Sequence, residues 1–318
     1  MSVNDLVEAE WKAREDNGLP PHHALDTSDL GFKFTKVQGE FIEPIAHFLK
    51  GDLEKSEYSS RFMYNHILSC CVYSKEFMEY CKLPWDSGTL PPLHVIKRPP
   101  AGRVSFLSCD GNYFDKFGRY LLKSIKSPVH VHIMDPSKEL AQEASELVGN
   151  NGLSIELPRG NPGYYHAVRL IRFADFVREQ PAILLDVDAL AKNDPLKLPE
   201  VPCGMRLRPG RIEPWNQFNA SVIVGDWRAE MYFNMVAKYI WHFWKADKLI
   251  WQIDQAALFC VWTYLRNHVE CLGPKEVDYD YHDDGIIWCN SGKNKWLDED
   301  LSRQKYRDFL EEIKNING

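Results

Sequence analysis

The stretch from Ile183 to Asp188 constrains the fold more than any other part of the chain. Here a short apolar run, preceded by Pro181, ends abruptly in two aspartates. This pattern predicts a buried central strand that runs out into a loop. Because alternate side chains of an extended chain share a face, Asp186 and Asp188 are expected to project together. A divalent cation that prefers oxygen ligands would offset their repulsion, whereas two solvated aspartates capping a turn are the alternative.

The composition is that of an ordinary globular protein. The 318 residues, 44% of them hydrophobic, suffice for one large domain or two smaller ones. A net charge of −7 argues against a general nucleic-acid binder. The first residues lack the basic and apolar regions of a signal peptide, no stretch is apolar enough to span a bilayer, and the eight cysteines form no C-x-x-C pair. We therefore expect a soluble cytoplasmic protein, and a homo-oligomer is left open.

The hydrophobic pattern divides the chain into two parts. From Val3 to about Leu83, apolar residues recur at helical spacing, and a proline-rich stretch follows at 84–100. We predict an N-terminal helical region with a proline-rich linker over residues 1–98 and a second domain over residues 99–318.

Strands and helices alternate in the second part. Predicted strands cover residues 104–108, 129–134 and 153–157, with the strand before Asp186 next. This alternation predicts an α/β fold with a mainly parallel sheet, whose ligands bind beyond the carboxyl ends of the strands. Asp110, Asp186 and Asp188 all follow such ends, so we expect the three to act together.

Short motifs occur in order along residues 104–296. They are Ser108-Cys109-Asp110-Gly111-Asn112-Tyr113, Arg169 in the helix before the two aspartates, Asp186-Val187-Asp188, Phe218-Asn219-Ala220-Ser221 and Asp254-Gln255. Each is weak alone, but their order and spacing are fairly specific. Together they resemble the retaining glycosyltransferases of the GT-A fold, which is Rossmann-like. Enzymes of this kind transfer sugars from nucleotide-diphosphate sugars. The likeness is greatest to family 8, which holds galactosyltransferases and glycogenin-like enzymes.

The resemblance implies a nucleotide and metal site. Ser108, Asp110 and Tyr113 would hold the nucleotide, with Tyr113 stacked on its base. Asp186 and Asp188 would bind Mn²⁺ or Mg²⁺ and, through the metal, the diphosphate of a UDP-sugar. Hard cations of this kind prefer carboxylate oxygens, which both aspartates supply.

The resemblance also implies contacts to the sugar. Arg169 and Asn219 would contact the donor, and Asp254 and Gln255 would lie at the reacting carbon, where Asp254 could act as a covalent nucleophile. Each has a plainer alternative. Arg169 could form a structural ion pair, Asn219 could cap a turn, and Asp254 could begin a helix.

One motif departs from the family pattern H-x-x-G-x-x-K-P-W. Aligning Gly292 and Lys295 on its Gly and Lys places Cys289 where the family has its metal-binding His. A thiolate matches Mg²⁺ or Mn²⁺ poorly. The third metal contact is therefore open among Cys289, Asn290, His282, Asp283, Asp284 and water. Lys295, with Lys293 as a substitute, is expected to grip the leaving phosphate.

The expected function is metal-dependent sugar transfer from a UDP-sugar to a glycan or another hydroxyl-bearing acceptor. Retention is expected because Asp254-Gln255 resembles the pair of the retaining family and because no catalytic base is apparent. One alternative is a phosphatase of the haloacid dehalogenase type that uses Asp186 and Asp188. That family carries its motif on the first strand of the fold, and Ala189 follows the second aspartate here. The other alternative is a binding protein that has kept the GT-A fold and lost activity.

Overall fold

The computed structural model describes a large part of the chain from residue 71 onward. The described residues are 71–72, 74–85, 87–157, 162–207, 218–246, 249, 252–265, 269–279, 282–289, 304, 307–308 and 311. The helices expected before residue 71, and the candidate residues Asn290, Gly292, Lys293 and Lys295, lie outside these ranges.

An eight-stranded sheet forms the centre of the described structure. Its strands are β1 Leu93–Lys97, β2 Val104–Asp110, β3 Val129–Met134, β4 Gly152–Glu156, β5 Ala182–Leu185, β7 Cys203–Leu207, β8 Phe218–Gly225 and β9 Glu270–Cys271. A three-stranded sheet joins β6 Leu190–Ala191, β10 Val277–Asp278 and β11 Ile287–Trp288. The large sheet has the order β1-β4-β3-β2-β5-β8-β7-β9, and only β1 and β8 among these strands run against the others. The predicted α/β class with a mainly parallel sheet is confirmed.

Helices cover both faces of the large sheet. They are α1 Lys75–Lys82, α2 (Gly111–Tyr113, a π turn Phe114–Gly118, and Arg119–Ser124), α3 Lys138–Leu147, α4 Pro162–Glu179, α5 Glu230–Lys245 and α6 Ile253–Tyr264. Single 3₁₀ turns lie at Ser87–Thr89, Pro195–Lys197 and Trp227–Ala229. None of the helices in the described part of the chain has the length and apolar character needed to cross a bilayer.

Two hydrophobic cores result from the alternation of side chains along the strands. In β2, Val104 and Phe106 pack with α4, α5 and α6, whereas Leu107 and Cys109 pack with α2 and α3. Every residue of β5 is buried, as expected for a central parallel strand covered on both faces. The run before Asp186 is therefore the buried strand that the sequence predicts.

The proline-rich stretch is not a linker between separate bodies. Its residues Leu93–Lys97 form β1, the edge strand that pairs antiparallel with β4. Met78 and Cys81 of the preceding helix α1 are buried in the same core as α4 and α5. The boundary expected near Arg98 thus falls between two strands of one sheet, and residues 71–98 extend the α/β unit. Prolines bracket this strand at its ends, where no ladder hydrogen bond is lost.

Candidate active site

Tyr113 lies in the electrostatic field of three aspartates that stand at or just beyond the carboxyl ends of β2 and β5. These strands are parallel neighbours that pair Leu107 with Leu185, so the residues that follow leave the sheet at the same edge. Burial raises the pKa of Tyr113, and the negative charges of Asp188, Asp186 and Asp110 raise it further. The tyrosine is 44% exposed, so part of its side-chain surface is accessible to a ligand. The aspartates that the sequence singles out are therefore close together.

Asp110 fixes the position of Tyr113. Its Oδ1 accepts hydrogen bonds from the backbone N–H groups of Asn112 at 2.9 Å and Tyr113 at 3.1 Å, so the carboxylate caps the start of α2. The intervening Gly111 is required by close packing. A Cβ there would lie 2.9 Å from Cα of Pro136 and 3.0 Å from the carbonyl oxygen of Asp135, and neither backbone atom can move aside easily.

Arg169 connects two of the predicted motifs. Its Nη1 donates to Oδ1 of Asp186 at 2.5 Å and its Nη2 donates to Oδ2 of Asp254 at 2.7 Å. Only 6% of the arginine side chain is exposed, against 32% of the Asp186 side chain. Burial lowers the pKa of Arg169, but the two carboxylates outweigh it and hold that pKa above its ordinary value. Arg169 therefore forms an ion pair, which was the alternative to a contact with the donor. This ion pair lies at the edge of the site.

The surroundings of Asp254 differ from those expected for a catalytic nucleophile. Its side chain has no exposed surface, and its two oxygens contact Nε2 of His166 at 2.7 Å and Nη2 of Arg169 at 2.7 Å. Burial would raise the pKa of Asp254, but His166 and Arg169 hold it far below its usual range. A carboxylate enclosed in this way cannot attack a sugar in the described arrangement. Its neighbour Gln255 is half-buried and donates its backbone N–H to Oδ1 of Asp254 at 2.8 Å.

Sequence reasoning missed His166, which lies one turn before Arg169 on α4. The signal available was this spacing of three residues, which places both side chains on one face of the helix. What could not be seen is the partner, because Asp254 lies on α6, 88 positions further along the chain by residue number.

Ser108 is buried beneath the site instead of lining it openly. Its Oγ lies 2.8 Å from Nδ1 of His132, whose Nε2 lies 3.2 Å from Oε2 of Glu156. Nε2 of His132 makes no hydrogen bond, so its contact with Glu156 is an electrostatic one. Arg172 donates from Nε to the same carboxylate at 2.7 Å. Burial lowers the pKa of His132, and this buried network supports the ends of β2, β3 and β4.

Asn219 is also enclosed. It lies in β8, its Oδ1 accepts from the backbone N–H of Ser221 at 2.6 Å, and its amide nitrogen donates to the phenol of Tyr279. The guanidinium of Arg206 stacks 4.1 Å above the Tyr279 ring. Both polar atoms of the Asn219 side chain are thus hydrogen-bonded within the protein, in a strand and not at a turn.

The donor set suits a hard cation only in part. Asp186 and Asp188 offer carboxylate oxygens, but no three His, Cys, Asp or Glu side chains among the described residues converge closely enough to hold a metal ion. Cys289 is buried in an apolar core. Two other candidates for the third ligand have protein partners, since His282 contacts Asp278 and Asp284 accepts from Lys275. A cation here would therefore take the rest of its coordination from a diphosphate, water or residues outside the described ranges.

Three solved structures that resemble this chain are glycosyltransferases. The glycosyltransferase GlyE of Streptococcus pneumoniae TIGR4 superposes with a TM-score of 0.48 and 14% identity over 68% of this chain, and its apo form gives 0.47. Mouse xyloside xylosyltransferase 1 gives 0.38 and 11% identity, over 56% of this chain and 87% of its own. The chain spans 63% of the length of GlyE. No protein-family model and no curated protein matches the sequence. At these values no residue role is transferred from the neighbours.

Proposed function

We propose that the chain is a glycosyltransferase that takes a sugar from a nucleotide diphosphate, with UDP-sugar as the donor class. The observation that supports this most is that Asp110, Asp186 and Asp188 all act electrostatically on the half-exposed Tyr113. An exposed aromatic ring can stack on a nucleobase. Paired carboxylates beside it can bind a cation that in turn binds the diphosphate.

The metal is assigned to Asp186 and Asp188. When bound, Mn²⁺ or Mg²⁺ would neutralise the charge that develops on the departing diphosphate. The protein's own contribution is positional, because Arg169 fixes one oxygen of Asp186 and leaves the partly exposed carboxylate facing the site. Lys295 remains, from the sequence alone, the candidate for a second positive group at the leaving phosphate.

Retention of anomeric configuration is part of the proposal. An inverting transferase needs a carboxylate or histidine that removes the acceptor proton on the face opposite the leaving group. A retaining transferase can let the departing phosphate take that proton on the same face. With Asp254 enclosed by His166 and Arg169, Gln255 is left as the side chain of this pair that could approach the sugar. We propose that Gln255 orients the sugar and that Asp254 holds the surrounding protein structure in place.

The phosphatase alternative is less well supported. The strand before Asp186 is the fourth of the consecutive parallel strands that begin with β2, and not the first of the fold. In addition, a guanidinium that binds a carboxylate at 2.5 Å lowers its nucleophilicity, and Asp186 is the presumed nucleophile of that reaction.

The test has a binding arm and a turnover arm. UDP with Mn²⁺ at about 100 times its Kd should stabilise the folded protein by about 2.7 kcal/mol and raise Tm by a few degrees. UDP with a chelator, and UMP with Mn²⁺, are the matched controls and should give smaller shifts. In the turnover arm, a panel of nucleotide sugars is incubated with Mn²⁺, and release of the nucleoside diphosphate is measured. Equal shifts with and without metal, together with no turnover of any donor, would rule the proposal out.

A further inference from the structure

The start of α6 is held in place by side chains of α4. His166 and Arg169, one turn apart on α4, contact different oxygens of Asp254, each at 2.7 Å. Asp254 stands in the first turn of α6, and its Oδ1 also accepts the backbone N–H of Gln255. His166 and Arg169, both on α4, thus fix the carboxylate of Asp254, the residue before Gln255.

The backbone at this point requires such support. Gln252, the residue before α6, has φ of 72° and makes no capping hydrogen bond with its side chain. A left-handed conformation is unfavourable for a residue with a Cβ, and a helix start without a side-chain cap leaves N–H groups unpaired. The backbone N–H of Gln252 points instead at Nε2 of His166, 3.1 Å away. His166 is therefore the side chain of α4 that contacts both Gln252 and Asp254.

The shorter of the two contacts, to Asp254, assigns the proton on the ring. An ionised carboxylate can only accept a hydrogen bond, so Nε2 at 2.7 Å from Asp254 must carry a proton. The N–H of Gln252 is directed as a donor at the same nitrogen from 3.1 Å, and a nitrogen that donates to Asp254 cannot also accept from Gln252, so the two contacts compete for Nε2. The shorter contact, to an ionised carboxylate, is the stronger of the two. The imidazole is 14% exposed, which puts it at the boundary between the core and the site.

We propose that His166 is a positioning residue of the transferase: by donating from Nε2 to Asp254, it fixes the first turn of α6 and so aims Gln255 at the sugar. This inference rests on the proposed function and extends it to a residue that the family resemblance does not assign. The side chain acts through Asp254 and α6. Its loss should lower the rate of sugar transfer while leaving the nucleotide half of the site, at Asp110 and Tyr113, unchanged.

Two substitutions of His166 separate this role from others. Glutamine carries its amide nitrogen at about the distance of Nε2 from the backbone, whereas asparagine carries it at about that of Nδ1. His166→Gln can therefore still donate to Asp254, and His166→Asn cannot reach it. We expect His166→Asn to lower kcat by about 10- to 100-fold with little change in donor KM, as for a misplaced group near the reacting centre. We expect His166→Gln to restore most of kcat.

Four further results complete the test. The stabilisation by UDP and Mn²⁺ should be equal in wild type and both variants. Equal loss of kcat in His166→Gln and His166→Asn would overturn the proposal, because it would mean that the ring itself contacts the substrate. Unchanged kcat in His166→Asn would overturn it as well. A rise in donor KM alone would equally contradict it.

A measurement without turnover distinguishes failure of this inference from failure of the proposed function. Long-range ¹H–¹⁵N NMR of the wild-type protein, with the His166 signals identified by their absence in His166→Asn, reports which ring nitrogen carries a proton. A proton on Nε2 supports the contact even if no donor is turned over, and in that case the proposed function alone fails. A proton on Nδ1 only would overturn the positioning role whatever the activity.

Discussion

Arg169 and Asp186 are joined by a hydrogen bond from Nη1 to Oδ1 of 2.5 Å, at a point where the arginine is buried and the aspartate is partly exposed. The guanidinium also binds Asp254, so one side chain connects the end of β5 with the start of α6. Any change at Asp186 therefore acts on the ion pair as well as on the proposed metal site. This relationship makes the two aspartates of the motif experimentally distinguishable.

We predict that Asp188→Asn removes sugar transfer while the fold survives. The change is nearly isosteric and takes one negative charge from the proposed cation site, so the rate should fall by about 100-fold or more. Tm without ligand should stay close to that of wild type, and the added stabilisation by UDP with Mn²⁺ should be lost. Asp186→Asn should lose activity to a similar degree and also lower Tm, because it weakens the bond to Arg169. Turnover of Asp188→Asn within a few-fold of wild type would contradict the metal assignment.

The buried ion pair predicts a large effect of Arg169→Met. This variant leaves the enclosed carboxylate of Asp254 without the guanidinium, and breaking a buried pair from one side costs about 3–5 kcal/mol. Urea denaturation gives the free energy of unfolding. The double variant Arg169→Met/Asp254→Leu removes both charges and should recover part of the loss. A single variant as stable as wild type would show that Asp254 does not depend on Arg169.

The buried His130 predicts loss of stability in weak acid. Burial, and to a lesser extent the neighbouring His132, lowers the pKa of His130 from 6.5 to about 3. Below pH 6.5 the unfolded chain takes up a proton that the folded protein refuses until about pH 3. The stabilising contribution is therefore complete above pH 6.5 and falls by about 1.4 kcal/mol per pH unit well below it.

Urea denaturation at pH 7.5 and pH 5 tests this expectation. His130→Gln has no titrating ring, so its free energy of unfolding should fall by about 2 kcal/mol less than that of wild type over this interval. His132 is also buried, with a lowered pKa, so some dependence should persist. The control Ser154→Ala removes the hydroxyl 2.8 Å from Nε2 of His130 and keeps the ring, so the pH dependence should remain. Equal slopes for wild type and His130→Gln would refute the assignment.

The left-handed residue before α6 predicts that glycine is accepted there. Gln252→Gly relieves the strain of φ at 72°, which offsets the greater chain entropy of glycine in the unfolded state, so stability should change by less than about 1 kcal/mol or increase. The matched control is Gln142→Gly on the exposed face of α3, where the same substitution should cost about 1 kcal/mol. Thermal unfolding of both variants gives the comparison. A larger loss at Gln252 than at Gln142 would show that the Gln252 side chain is needed.

The local hydrophobic pattern was enough to predict the secondary-structure elements that depend on residues close together in the chain. The run from Ile183 to Leu185 is buried on both faces, and a parallel strand in that position must be apolar throughout. The alternation of strand and helix from Val104 onward also follows from local periodicity. Because the carboxyl ends of parallel strands share an edge, the proximity of Asp110 to Asp186 could be expected as well.

Only the tertiary structure decided how the polar side chains are used. Sequence marked Asp254 as a site residue, yet its burial and its bonds to His166 and Arg169 depend on the packing of α4 against α6, two helices far apart in the chain. Likewise, residues 93–97 lie in a proline-rich stretch and became an edge strand because β4 presented an unpaired edge. The sequence alone determined which residues stand at the strand ends. Which of their charges are enclosed and which face a ligand was decided by the fold, because burial and ion pairing depend on distance in space and not along the chain.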